Sequence, residues 1–139
     1  MAARFGVTID CRQPSVLASF WCRVLGYVEE PPPTGYQSWA AYDLAHGISA
    51  EVAESGCTII DPEEASPRIY FQRVPEPKRG KNRVHLDIPA SPGHSWDEVV
   101  AAANRAVAAG GRILRESTSD DDRFIVMTDP EDNEFCLVL

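Results

Sequence analysis

A chain of 139 residues with a formal net charge of −8, from 13 Lys and Arg against 21 Asp and Glu, suits one domain or two small repeated modules sharing a core. The acidic balance argues against general nucleic-acid binding, which needs a basic face, and no apolar run approaches the roughly 18 to 20 residues of a membrane-spanning helix. Cys11, Cys22, Cys57 and Cys136 lack paired zinc-like spacing and no charged, apolar leader opens the chain, which predicts a reduced, cytoplasmic protein without disulfides.

Phe5, Val7 and Ile9 alternate with Gly6, Thr8 and Asp10, the pattern of a half-buried strand over 5–10. Pro14 then stands at a first helical position. Val16, Leu17, Phe20, Trp21, Val24 and Leu25 recur at three-to-four spacing until Gly26, which predicts an amphipathic helix with Phe20 and Trp21 in the core. After the Pro31, Pro32, Pro33 and Gly35 turn region, segments 39–44 and 48–52 read as a hairpin around His46 and Gly47, with a further extended piece over 57–60.

The centre of the chain is 69–88. Two strand-like runs, 69–74 and 83–88, flank a loop containing Pro75, Pro77 and Gly80, and the segment from Lys78 to Arg83 holds four of the thirteen cations. Strand residues two apart share a face, so Arg83, His85 and Asp87 point one way and Val84, Leu86 and Ile88 the other, while Tyr70 and Gln72 alternate with Ile69 and Phe71. Polar faces of this kind meet water, each other or a ligand, because unpaired buried polar groups are costly.

Ser95 and Glu98 have the spacing of a capping box ahead of a helix carrying Val99, Val100, Ala103 and Val107, which Gly110 and Gly111 end. Strands follow over 112–116, 124–128 and 134–139. The acidic run Asp120, Asp121 and Asp122 precedes the second of them, and the turn-rich Asp129 to Asn133 joins the last two. Strand, helix and three strands thus occur twice, within 5–74 and 82–139 of a single 1–139 domain. The fold class expected is α+β, an internal duplication of a βαβββ unit.

The segments LASFWCRVLGY, RIYFQRVPEPKRGKNRVHLDI and VMTDPEDNEFCLVL, in this order, resemble the vicinal oxygen chelate superfamily of glyoxalases, extradiol dioxygenases, fosfomycin-resistance transferases and bleomycin-resistance proteins. More narrowly, the chain is similar to glyoxalase-like proteins of unassigned substrate. The resemblance implies two modules whose curved mixed sheet surrounds a cavity, and a homodimer. Metal-dependent members take one ligand from the first strand and a carboxylate from the last strand of each module. Those positions fall here at Gly6, Gln72, His85 and Cys136, so one of four matches, and the metal reading needs Gln72, His85 and Glu134, which shares a strand face with Cys136.

The expected function is therefore a glyoxalase-like small-molecule enzyme or binding protein without the standard metal site. His85 is the candidate catalytic group, since imidazole takes either protonation state near neutrality. Tyr70, Gln72, Asp87, Glu134, Cys136 and Trp39, the last with Tyr42 as aromatic wall, are the candidate ligand contacts. The alternatives are a lyase, isomerase or dioxygenase dependent on a divalent metal, and a resistance protein that sequesters an antibiotic. Asp10 has two readings, a substitute ligand or a cap for the helix at Pro14. The basic loop is a candidate anchor for an anionic tail, with Lys81 its test position.

Overall fold

A computed structural model describes residues 1–117, 119 and 122–139, so of the acidic run at 120–122 Asp120 and Asp121 lie outside the described residues. The chain divides into two compact units, residues 1–22 with 26–77, and residues 23–25 with 78–139. Among the described residues no helix is long and apolar enough to cross a membrane.

The first unit begins with β1 (Val7–Cys11) and α1 (Pro14–Leu25), which ends in left-handed Gly26 at φ 73°. Leu17, Ala18, Phe20 and Trp21 on one face of α1 are buried, and the Phe20 and Trp21 rings meet edge to face at 5.5 Å. Burying side chains of this size stabilises by about 1.5–3 kcal/mol each. The N-cap of α1 is Gln13, without a side-chain cap bond, and Asp10 stays in β1 opposite Gln72. The cap reading of Asp10 is therefore incorrect. A strand residue four positions before a Pro-initiated helix lies too far back to reach its first amides.

β2 (Val28–Glu29) is followed by α2 (Trp39–His46) and α3 (Ala50–Ala53) where the sequence pattern suggested a hairpin. The reason is local. Ser38 accepts from the Ala41 amide, Ser49 accepts from the Val52 amide, and Gly47 closes α2 at φ 66°. With Ala at five positions of α2 and α3 combined, propensity and capping outweigh the short apolar alternation. His46 stacks on Tyr42 one turn earlier, with ring centroids 4.0 Å apart.

β3 (Gly56–Ile60) and β4 (Ile69–Arg73) complete a sheet of order β1-β4-β3-β2, in which β1 and β4 are parallel. Ile59, Ile69 and Phe71 are buried, while Tyr70 and Gln72 occupy the opposite face of β4. The Tyr70 phenol lies over Gly56, where an added Cβ would come within 2.1 Å of its hydroxyl.

The second unit repeats the plan. β5 (Asp87–Pro89), α4 (Trp96–Ala108), β6 (Arg112–Glu116), β7 (Phe124–Thr128) and β8 (Glu134–Val138) give the sheet order β5-β8-β7-β6, with β5 parallel to β8. The βαβββ order expected from the sequence is thus present in both halves, with β2 taking the place given to the hairpin. Ile125, Met127, Phe135 and Leu137 form one buried sheet face, and α4 packs across β6, β7 and β8 with Val99, Ala103 and Ala106 buried. The Ser95 hydroxyl does not cap α4. Glu98 instead accepts from the Ser91 hydroxyl at 2.7 Å and the Gly93 amide at 2.9 Å, so its carboxylate organises the loop before the cap.

The strand read over 83–88 is shorter than expected, because regular pairing begins only at Asp87. Ahead of it the Asn82 side chain donates to the Glu134 carbonyl, and the Asn82 amide donates to Glu134 Oε2 at 3.0 Å. These bonds tie the segment to β8 without a ladder. Lys78 adds an ion pair to the same carboxylate at 3.1 Å. Desolvation pushes the Glu134 carboxyl up, but the Asn82 amide and the Lys78 ammonium outweigh it and hold the group below its ordinary value.

Buried Asp129 builds the β7–β8 turn by accepting from the Glu131 and Asn133 amides at 2.9 and 3.0 Å and from the Asn133 side chain. Asp129→Ala should cost about 2–3 kcal/mol in urea unfolding, and Asp129→Asn, which keeps one acceptor, clearly less. The Lys78–Glu134 pair makes a pH-dependent prediction. A lowered carboxyl stabilises the fold above its unfolded value of 4.5, and that contribution is lost as pH falls through the lower folded value. Lys78→Met should therefore be less stable than wild type by about 1–2 kcal/mol at pH 7, with the two melting curves converging in acid.

Candidate functional site

The open face of the second sheet opposes its buried one. Along β7, Phe124 and Val126 alternate with buried Ile125 and Met127, and along β8, Glu134, Cys136 and Val138 alternate with buried Phe135 and Leu137. Register then aligns a row across all four strands: Asp87 pairs with Cys136, Cys136 with Val126, and Val126 with Arg115. A carboxylate, a thiol, an isopropyl group and a guanidinium so share one line.

The β6 edge contains an irregularity between Ile113 and Arg115, where two steps on β6 answer one on β7. An extra residue in one strand re-aims its neighbours, so adjacent Leu114 and Arg115 both reach the same cavity. That cavity measures about 490 Å³. Leu114, Phe124, Val126 and Val138 supply its apolar wall, and Lys81, His85, Asp87, Arg115, Glu134 and Cys136 its polar part. Arg115 also lies over the Phe124 ring, 5.3 Å from its centroid.

His85 precedes β5 but keeps the two-residue spacing to Asp87, and its Nδ1 is 3.1 Å from Asp87 Oδ1. A carboxylate oxygen can only accept, so Nδ1 carries a proton, and in the neutral imidazole Nε2 presents a lone pair. The pair is exposed, at 39% for the His85 side chain and 60% for Asp87. Exposed ion pairs are worth at most about 1 kcal/mol, so its consequence is orientation rather than stability. Asp87 also accepts from the Cys136 thiol. Burial first, then the Asp87 charge and this bond, push the thiol up, against smaller opposing effects of Arg115 and Lys81. A nucleophilic thiolate is not favoured there.

Of the sequence-derived candidates, His85, Asp87, Glu134 and Cys136 meet at this cavity. Tyr70 and Gln72 lie on β4 of the first unit, Gln72 opposite Asp10 and Gly56, with Tyr70 half-buried over Gly56. Trp39 lies at the start of α2, donating from Nε1 to the Glu30 carbonyl at 2.7 Å, with Tyr42 edge to face at 5.6 Å. Glu134 Oε2 is held by Lys78 and Asn82. Sequence reasoning missed Leu114, Arg115, Phe124, Val126 and Val138. The alternation of 124, 126 and 134, 136, 138 could have supplied three of them, whereas Leu114 and Arg115 depend on the irregularity in β6.

Comparison with curated proteins finds no match. Among solved structures, a hypothetical protein, SA1046, from S. aureus superposes with a TM-score of 0.64 at 13% identity, covering 100% of this chain and 98% of that one. A glyoxalase/bleomycin resistance protein/dioxygenase family enzyme from Burkholderia phytofirmans gives 0.62 at 16% identity, covering 95% and 94%. A fosfomycin resistance protein, FosX, from Listeria monocytogenes, solved with Mn(II) and 1S,2S-dihydroxypropylphosphonic acid, gives 0.63 at 14% identity, covering 99% and 90%. At these identities the likeness establishes the fold, which is the α+β glyoxalase/bleomycin resistance fold expected from the sequence. The model of the glyoxalase-like domain matches residues 6–138, nearly the whole chain, and the protein belongs to that family.

Proposed function

We propose that this chain is a small-molecule enzyme or binding protein whose ligand occupies the cavity on the open face of the second sheet, with His85 as the group that acts on it. The observation that carries this reading is the His85–Asp87 pair in a cavity whose apolar wall is Leu114, Phe124, Val126 and Val138. A volume of about 490 Å³ lies within the range of roughly 300–1,000 Å³ typical of small-molecule sites, and an apolar wall with a few convergent polar groups is their usual composition. With Nδ1 donating to Asp87, Nε2 takes a proton from a bound molecule, or accepts its hydrogen bond, without rotation of the ring.

The charges suggest which molecule. Glu134 is matched by Lys78, and of the remaining lining charges Lys81 and Arg115 stand beside Asp122 and the Asp87 carboxylate that accepts from His85. The apolar wall suits a compact apolar body, and Lys81 and Arg115 offer contacts for an anionic head. The basic loop then supplies its anchor through Lys81.

The FosX structure with Mn(II) raises the question of a metal. Manganese-type ions prefer carboxylate, carbonyl and water oxygens. The donors gathered here are one imidazole, one carboxylate and one thiol, and the further carboxylate, Glu134, is committed to Lys78 and Asn82. This set does not fit an oxygen-seeking ion.

Phenylpyruvate, an anionic aromatic with an exchangeable methylene, and neutral phenylacetone serve as probes, both in chelator. Isotope-labelled protein should show saturable shifts at the Val126 and Val138 methyls and the His85 ring, and should accelerate deuterium exchange of the phenylpyruvate methylene. His85→Ala should lower that exchange at least 100-fold. Saturable binding without exchange would identify a sequestering protein and remove the base role, and shifts confined to other residues would overturn the site. Lys81→Glu should weaken phenylpyruvate about 5- to 10-fold and leave phenylacetone within about twofold, as loss of roughly 1 kcal/mol of charge attraction requires.

A further inference from the structure

The sheet face that α4 covers is not covered evenly. α4 packs across β6, β7 and β8, and on the β5 side Ile88 is only half-buried, whereas its register partner Leu137 is 1% exposed. A cleft of about 240 Å³ lies there, within the second unit, on the face opposite the Asp87–Cys136 row. Val24 and Leu25 at the end of α1, with Ile88, Pro89 and Leu137, give it apolar walls. Among the described residues its charged lining is Arg23 and Arg105, with no carboxylate. Arg105 and Ala102 are three residues apart and so share the α4 face turned to the cleft.

Two guanidiniums without a counter-charge are unusual in a chain of net charge −8. Arg68, Arg112, Arg123 and Lys78 each meet a carboxylate, whereas among the described residues neither Arg23 nor Arg105 has an ion pair. Both stand in the last turn of their helices, where a cation offsets the helix dipole. That accounts for each arginine singly, but not for the pair lining one apolar cleft.

We propose that this cleft is a second ligand site, selective for a small phosphate monoester, with the phosphate between Arg23 and Arg105 and a short apolar tail against Ile88 and Leu137. A phosphate monoester carries a charge of about −1.5 to −2 near pH 7, which two guanidiniums balance, and their planar donor forks fit its oxygens. Pro89 and Pro92 have no N–H, and the Ala90 amide is committed to the Val138 carbonyl at 2.9 Å, so the arginines supply the polar contacts. The volume lies below the roughly 300–1,000 Å³ of drug-sized sites, which limits the tail to a few carbons. None of these residues lines the His85 cavity, so the inference does not rest on the function proposed above.

The test is titration of isotope-labelled full-length protein with butyl phosphate, inorganic phosphate and butanol. Butyl phosphate should give saturable shifts at the Val24, Leu25, Ile88 and Leu137 methyls and the Arg23 and Arg105 side-chain N–H groups, and butanol none. It should bind at least about 10-fold more tightly than inorganic phosphate, since burial of two methylenes at about 0.8 kcal/mol each corresponds to that ratio. Arg23→Gln and Arg105→Gln should each weaken it at least about 10-fold, and Arg105→Lys, which keeps the charge but not the fork, about 3- to 5-fold. Both arginines are exposed, so circular dichroism and thermal midpoints should not change. Lys81→Glu should leave this binding within about twofold, because Lys81 lines the other cavity. Absence of saturation, shifts confined to Val126 and Val138, unchanged affinity in both glutamine variants, or equal affinity for inorganic phosphate would each overturn the proposal.

Discussion

The parallel pairing of β5 with β8 is the constraint on which the site depends. The Cys136 amide donates to the Leu86 carbonyl at 2.9 Å, and regular pairing then sets Asp87 against Cys136. A slip of one residue would turn every side chain of β5 to the other face and replace Asp87 by Ile88. Two features prevent it. The turn at Asp129 fixes where β8 starts, and Glu134, the first residue of β8, fixes where the incoming segment meets it through Asn82 and Lys78. Polar contacts at the β7–β8 turn and at the first residue of β8 thus determine which groups share the cavity.

The two units use the same strand order for different ends. In the first, β1, β4 and β3 align Asp10, Gln72 and Gly56 in a row, and the Tyr70 ring covers Gly56. A glycine beneath an aromatic ring fills space without adding a donor. In the second, the row Asp87, Cys136 and Val126 holds a carboxylate and a thiol beside a side chain that offers apolar surface. Among the described residues, the three-donor cluster occurs only in the second unit.

Much of this was legible in the sequence because period two and period 3.6 leave clear traces. The alternation that grouped His85 with Asp87 survives even though His85 lies outside the strand, since extended backbone keeps side-chain parity beyond the last ladder bond. The helix at Pro14 and the strands from β6 to β8 follow in the same way. The segment at 39–53 failed because a short apolar alternation in an Ala-rich stretch is ambiguous, and the deciding signals were single serine caps at Ser38 and Ser49. Arg115 was invisible for another reason. Its position in the cavity comes from an irregularity in β6 that no local pattern announces, since Leu114 and Arg115 should face opposite ways in a regular strand.

Fold and site are separable on this sheet, and the separation has a physical basis. Ile125, Met127, Phe135 and Leu137 are at most 2% exposed and lie on the sheet face covered by α4, so truncation of any one should cost several kcal/mol. The groups on the other face contribute little to holding the chain together. The His85–Asp87 pair is largely solvated, and Lys81 and Arg115 are exposed. Cys136, between the two regimes, is only partly buried, with its thiol turned to Asp87 rather than into the apolar core. An imidazole, a carboxylate and a thiol are thus gathered where the fold gains little from them. The acidic chain as a whole repels anions at a distance, so selectivity for an anionic head has to arise locally, within about a Debye length of Lys81 and Arg115, roughly 8–10 Å at ordinary ionic strength. Lys81 and Arg115 both line the cavity, which makes the two cations a feature of the site rather than of the surface.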